Sequence, residues 1–116
     1  MGTIKLSDIE NCPVTATMQI MGGKWKLIIL HLINSDINRF GKMSIMIRDI
    51  SKQMLTTQLR ELERDGIIDR VIFAEIPPRV EYTLSEKGKT LLPIIHLMKE
   101  WGNDNVLNGL EKANDK

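Results

Sequence analysis

The chain has 116 residues, 42% of them hydrophobic and 27% charged, with a formal net charge of +1 and one cysteine, Cys12. That length suits a single domain with a thin core, which a partner subunit would help to close. No apolar run approaches the roughly 18 residues needed to cross a bilayer, no secretory signal is expected, and one cysteine excludes both an internal disulfide and a zinc site of several thiols, so a cytoplasmic protein without a membrane partner is expected.

Residues 1–11 read as an N-terminal arm. Two helices are expected within 12–34. Asn11-Cys12-Pro13 starts the first, because proline at the first helical position has its φ already set and gives up no needed N–H. Val14, Met18 and Met21 supply its apolar stripe, which ends at Gly22-Gly23. The second spans Lys24 to Asn34. Its broad apolar surface of Trp25, Leu27, Ile28, Ile29, Leu30, Leu32 and Ile33 predicts a central, well-buried helix. Asn34-Ser35-Asp36 then favours a turn.

A helix-turn-helix is expected over 39–66. Phe40, Met43 and Ile47 define a short helix, Arg48-Asp49-Ile50 breaks it, and Ser51 caps a further helix from Lys52 to about Asp65. Leu55, Leu59 and Leu62 form its buried stripe, and Gly66 stands where a left-handed C-cap residue belongs. Residues 67–84 change to a strand-like pattern. Ile67 to Ile76 is rich in β-branched residues, Pro77-Pro78-Arg79 reads as a turn, and Val80 to Leu84 alternates with period two, predicting a β-hairpin. Ser85 caps a last helix over 85–110, with Pro93 bending or restarting it. Residues 111–116 are polar. No repeat, low-complexity tract or second domain is evident, so 1–116 reads as one mainly α domain with a small β-hairpin.

This order of elements is that of a winged helix-turn-helix, whose second helix can enter a DNA major groove about 12 Å wide while the hairpin touches backbone or minor groove. Charge agrees with it. Between Arg39 and Arg60 stand five bases, Arg39, Lys42, Arg48, Lys52 and Arg60, against the single acid Asp49, a net of +4 on a remainder of −3. A basic face on a mildly acidic body is a footprint for a polyanion. If the leucines face the core, the opposite face of the second helix carries Lys52, Gln53, Thr56, Thr57, Arg60 and, further along, Arg64, while Glu61, Glu63 and Asp65 come only in its C-terminal half. The DNA-contacting set expected is therefore Arg39, Ser51, Lys52, Gln53, Thr56, Thr57, Arg60 and Arg79, with double-stranded DNA as partner.

Several motifs together resemble one family. Cys12-Pro13, Gly23-Lys24-Trp25, Arg39-Phe40, the run Ser51 to Gly66, Pro77-Pro78-Arg79-Val80-Glu81-Tyr82, Leu84-Ser85, Gly88 and Trp101 are similar in order and spacing to the HxlR-type regulators, over roughly residues 10–102. The resemblance implies a bacterial winged-helix transcription regulator acting as a homodimer. Family members include activators and repressors, and some respond to electrophiles or oxidants through a cysteine near the N-terminus, which is Cys12 here. One departure is visible: Ile45 to Ile50 lacks the Pro-Gly turn of many members. Dimerisation through the N- and C-terminal helices is expected, using Val14, Met18, Leu91, Leu92, Ile95, Met98 and Trp101. Two recognition helices about 34–36 Å apart would then suit a palindromic operator.

Other chemistries fit less well. Cys12 at a helix N-terminus is the only candidate reactive thiol, stabilised as thiolate by the helix dipole, with Lys24 and Lys26 as further candidate cations. The alternative is a buried small hydrophobe. Gly22-Gly23-Lys24 lacks the earlier glycine and the following Ser or Thr of a phosphate loop. His96 and Glu100 have the i, i+4 spacing of a surface ion pair, and neither His96 nor His31 has the further ligands of a metal site. No cofactor, metal or catalytic set is expected, so the chain does not read as an enzyme. The remaining alternative is a winged-helix protein–protein interaction module. It leaves Lys52, Arg60 and Arg79 without a role and would favour apolar residues at Thr56 and Thr57. The sequence names no small-molecule effector.

Overall fold

The computed structural model describes Lys5, Asp8 and residues 11–108. The remainder of the expected arm and of the C-terminal segment lies outside the described residues. Helix α1 (Pro13–Met21) begins on Pro13, with Cys12 as its N-cap, and buries Met21 at its far end. The second helix, α2 (Lys26–Asn34), starts two residues later than expected. Gly23 takes a left-handed φ of 90° and Trp25 becomes the N-cap, so the chain cannot enter the helix at Lys24. Ile29, Leu30, Leu32 and Ile33 are buried, but Ile28 is exposed, so the apolar girdle of α2 is only partly covered within one chain.

Helices α3 (Phe40–Met46) and α4 (Lys52–Arg64) form the helix-turn-helix. No Pro-Gly pair shapes the turn; Ile47 and Ile50 do, both buried at its two ends. The Ser51 hydroxyl accepts a hydrogen bond from the Met54 N–H at 3.0 Å, satisfying one free donor of the first turn. Leu55, Leu59 and Leu62 are buried against α2 and α3. The far end closes as a Schellman motif. Ile67 N–H donates to Leu62 C=O at 2.9 Å and Gly66 N–H to Glu63 C=O at 3.0 Å, and the motif requires the φ of 75° that Gly66 adopts.

The buried pair Ile67-Ile68 carries the chain directly from this cap into the hairpin. Strands β1 (Ile68–Phe73) and β2 (Arg79–Leu84) are antiparallel, with Ile68 opposite Leu84 and Phe73 opposite Arg79. The paired stretch of β1 is shorter than the apolar run because Ala74 to Pro78, including a cis Ile76–Pro77 bond, makes the tip. Tyr82 N–H donates to Asn38 C=O at 2.9 Å, laying the segment before α3 alongside β2.

The last helix, expected over 85–110 with Pro93 bending or restarting it, is found in three pieces, with the restart at Leu92-Pro93. Ser85 accepts from Gly88 N–H and starts α5 (Glu86–Lys89), then α6 (Leu92–Gly102) follows, and a π-helical turn (Asn103–Leu107) extends it. Pro93 explains the break. It has no N–H to give to the carbonyl one turn back, which suits it to the first turn of a new helix. Gly88 lies against the Ile67 carbonyl, where a Cβ would clash. Helix α6 has no fully buried residue. The radius of gyration is 17.3 Å, against about 13 Å for a compact domain of this size.

Candidate nucleic-acid interface

Arg39, Lys42, Arg48, Lys52 and Arg60 come from the start of α3, its body, the turn and α4. All five are exposed, and none forms an ion pair among the described residues. Among the described residues, five of the bases outside this stretch are ion-paired. Lys26 pairs with Glu61, Arg64 with Asp65, Arg70 with Glu63, Arg79 with Glu75 and Glu81, and Lys89 with Glu86. The helix-turn-helix thus presents cations without an ion-pair partner among the described residues, which leaves them available for phosphate contacts.

On α4 the leucine stripe faces inward, and Ser51, Lys52, Gln53, Thr57 and Arg60 are exposed while Thr56 is half-buried. The threonine hydroxyls are committed. Thr56 Oγ1 donates to Lys52 C=O at 2.8 Å and Thr57 Oγ1 to Gln53 C=O at 3.0 Å. With its proton turned back into the helix, each hydroxyl offers an acceptor oxygen and a methyl group. They therefore suit an exocyclic amine or a thymine methyl, leaving Gln53, Lys52 and Arg60 as the donors of this face.

Arg79 is not at the hairpin tip. It is the first residue of β2, paired in register with Phe73, because the tip closes one residue earlier at Pro78. Its guanidinium lies over the Phe73 ring and between Glu75 and Glu81. Arg39 and the wing residues Glu75 to Val80 line one cleft, so this arginine of the expected DNA-contacting set adjoins the wing.

The expected dimer residues divide into two groups. Leu91 and Ile95 pack against the chain's own core, and Leu92 is half-buried. Val14, Met18, Met98 and Trp101 are exposed, Trp101 at 64%. The sequence reading missed Ile94, Leu97, Val106 and Leu107, which extend the same apolar surface along α6 and the π-helical turn. Their helical spacing was the available signal. Ile28 and Leu27 of α2 continue this surface, lining a groove with Ile95 and Met98.

Cys12 is half-exposed at the start of α1. The backbone N–H groups of Thr15 and Val14, at the open end of the helix, hold its thiol below the ordinary pKa. The two lysines considered as helpers are occupied elsewhere. Lys24 lies 4.7 Å from the centroid of the Trp25 ring and Lys26 pairs with Glu61. His96 Nε2 meets Glu100 at 3.1 Å, an exposed pair one helical turn apart.

Three helices with a capped recognition helix, followed at once by a two-stranded wing, define a winged helix-turn-helix protein. Residues 20–109 match the family model described as HxlR-like helix-turn-helix. The chain belongs to this family of helix-turn-helix transcriptional regulators. It is 46% identical over 114 residues to the uncharacterized HTH-type transcriptional regulator YdeP of Bacillus subtilis (strain 168), covering 94% of this chain and 89% of YdeP. It is also 46% identical over 114 residues to YybR of the same organism, covering 92% of this chain and 91% of YybR. Among solved structures, the redox regulator HypR in its oxidized form matches with a TM-score of 0.75 at 47% identity, over 81% of this chain and 97% of HypR. The reduced form of the transcriptional regulator YodB from B. subtilis matches with a TM-score of 0.71 at 33% identity, over 82% of this chain and 94% of YodB.

Proposed function

We propose that the chain binds double-stranded DNA as a homodimer at palindromic operators in the bacterial cytoplasm, regulating transcription by occupancy without a catalytic step. The observation that carries this reading is the set of five exposed, unpaired cations on α3, the turn and α4. Lys52, Arg60 and Arg39 hold phosphates, Ser51 adds a hydroxyl at the helix N-terminus, and Gln53, Thr56 and Thr57 read base edges. Arg79 anchors the wing beside the backbone. Dimerisation covers the exposed apolar residues of α1 and α6, among them Val14, Met18, Leu97, Met98 and Trp101.

Cys12 acts in this reading as a sensing thiol. Its support is the helix-terminal N–H groups that favour the thiolate, together with the printed descriptions of HypR and of YodB, which has a diamide-treated structure. The thiolate sulfur adds to an electrophilic carbon, or attacks a small-molecule disulfide to give a mixed disulfide and release one thiolate. Cys12 is the chain's one cysteine, so a protein disulfide has to join two subunits.

The experiment is selection from a randomised duplex pool, followed by sedimentation of the complex. Two chains on one duplex of two-fold symmetric sequence support the reading. A monomer at micromolar concentration, or no enrichment of any sequence, contradicts it.

A further inference from the structure

We propose that Lys26 and Glu61 are positioning residues, whose ion pair fixes the register of α4 against α2 and so sets how sharply the protein distinguishes one DNA sequence from another. Lys26 Nζ stands 2.7 Å from Glu61 Oε2, and Lys26 is only 7% exposed. This inference rests on the DNA-reading role of α4 and adds a pair that touches no DNA.

Nothing in the local physics of α2 favours a lysine there. Lys26 is the first residue of the helix, where a cation opposes the helix dipole. It is also buried, where an ammonium loses its hydration. Replacing such a pair by apolar side chains is often neutral or stabilising, and the best-attested use of a buried polar pair is to fix register. The inward face of α4 is three leucines, and apolar contact, being non-directional, resists a small roll less than it resists separation. An ion pair at 2.7 Å between a buried ammonium and a half-buried carboxylate favours one alignment of α4 against α2, because a slide of either helix separates charges that little water screens.

Position along the helix converts this into a DNA effect. Glu61 lies one turn beyond Thr57 and two turns beyond Gln53, on the same edge of α4. A helix that shifts at Glu61 carries both residues with it. Hydrogen bonds to base edges fail with displacements of a few tenths of an ångström, whereas long flexible lysine and arginine side chains follow a phosphate. The pair therefore controls discrimination more than overall affinity.

The test uses the full chain and two probes: a duplex enriched from a randomised pool by the parent protein, and the unselected pool. Lys26→Met and Glu61→Gln are expected to lower the ratio of the two affinities about tenfold, the loss of roughly one base contact. Affinity for the unselected pool and the salt slope stay at parental values. Lys26→Arg retains the pair and the ratio. The double variant K26M/E61M leaves no unpaired charge, so it melts no lower than the parent and still shows the reduced ratio. Folded single or double variants with the parental ratio overturn the proposal, as does a Lys26→Arg protein that loses as much as Lys26→Met. A parent that enriches no sequence refutes the DNA-reading role itself, and is thereby distinguished from failure of the pair.

Discussion

The guanidinium of Arg79 sits 4.0 Å above the ring of Phe73, the residue it faces across the hairpin, with Glu75 at 3.4 Å and Glu81 at 3.8 Å. One cation held by two carboxylates leaves the tip end of the wing with a net negative charge. Any phosphate approaching Arg79 competes with these acids. Glu75→Gln is therefore expected to tighten binding to selected and unselected duplexes alike, and Arg79→Ala to weaken both. Fluorescence anisotropy with both duplexes checks this. Unchanged affinity in both variants means that the wing does not approach DNA.

Gln53 is exposed on the second residue of α4, free of the carboxylates that cluster at the other end of the helix. Its amide can bond an adenine bidentately, a contact worth about 1–3 kcal/mol of discrimination. Gln53→Ala should relax sequence preference and leave the salt slope unaltered, because no charge is removed. A variant that weakens every duplex equally would place Gln53 on the backbone instead.

The recognition helix depends on its cap and its leucines. Leu59→Ala empties a fully packed site between α4 and α2 and should cost about 2–5 kcal/mol. Ser51→Ala removes the acceptor for Met54 N–H and should cost about 1 kcal/mol. Chemical denaturation resolves the two. A Ser51→Ala loss as large as that of Leu59→Ala would mean that the hydroxyl does more than cap the helix.

Much of this was legible in the sequence because it is local. The leucine period of α4, Ser51 and Ser85 as caps, and Gly66 at the C-terminus each follow from residues within one or two turns. The misread parts depend on distant partners. Arg79 belongs to β2 because Phe73 pairs with it across the hairpin, and Lys26 is buried because Glu61 reaches it from another helix. The start of α2 was displaced for a different reason: Gly23 acts on the backbone, and apolar periodicity does not register it, whereas Pro93 was legible as a restart of the last helix. The extent of the apolar surface on α6 was underestimated, since Ile94 and Leu97 fall outside the stripe that packs on the core.

Cys12 titrates below an ordinary thiol because Thr15 and Val14 N–H groups stabilise its anion. A lowered pKa keeps the thiolate populated as pH falls, so reactivity should persist below the usual thiol range near about pH 8.5. Alkylation by iodoacetamide, followed against pH, should show its midpoint below that of a free cysteine in the denatured chain. Coincident midpoints would remove the basis for a sensing role.

In the proposed function, the unpaired cations of α3, the turn and α4 meet DNA phosphates. The most direct measurement is the slope of log affinity against log salt concentration, for the parent and for a variant with Arg39, Lys42, Arg48, Lys52 and Arg60 all replaced by Gln. Each phosphate contact contributes about 0.9 to the slope, so the parent should show a steep dependence and the variant a nearly flat one, with its melting temperature retained. A folded variant that keeps the parental slope and affinity would contradict the account.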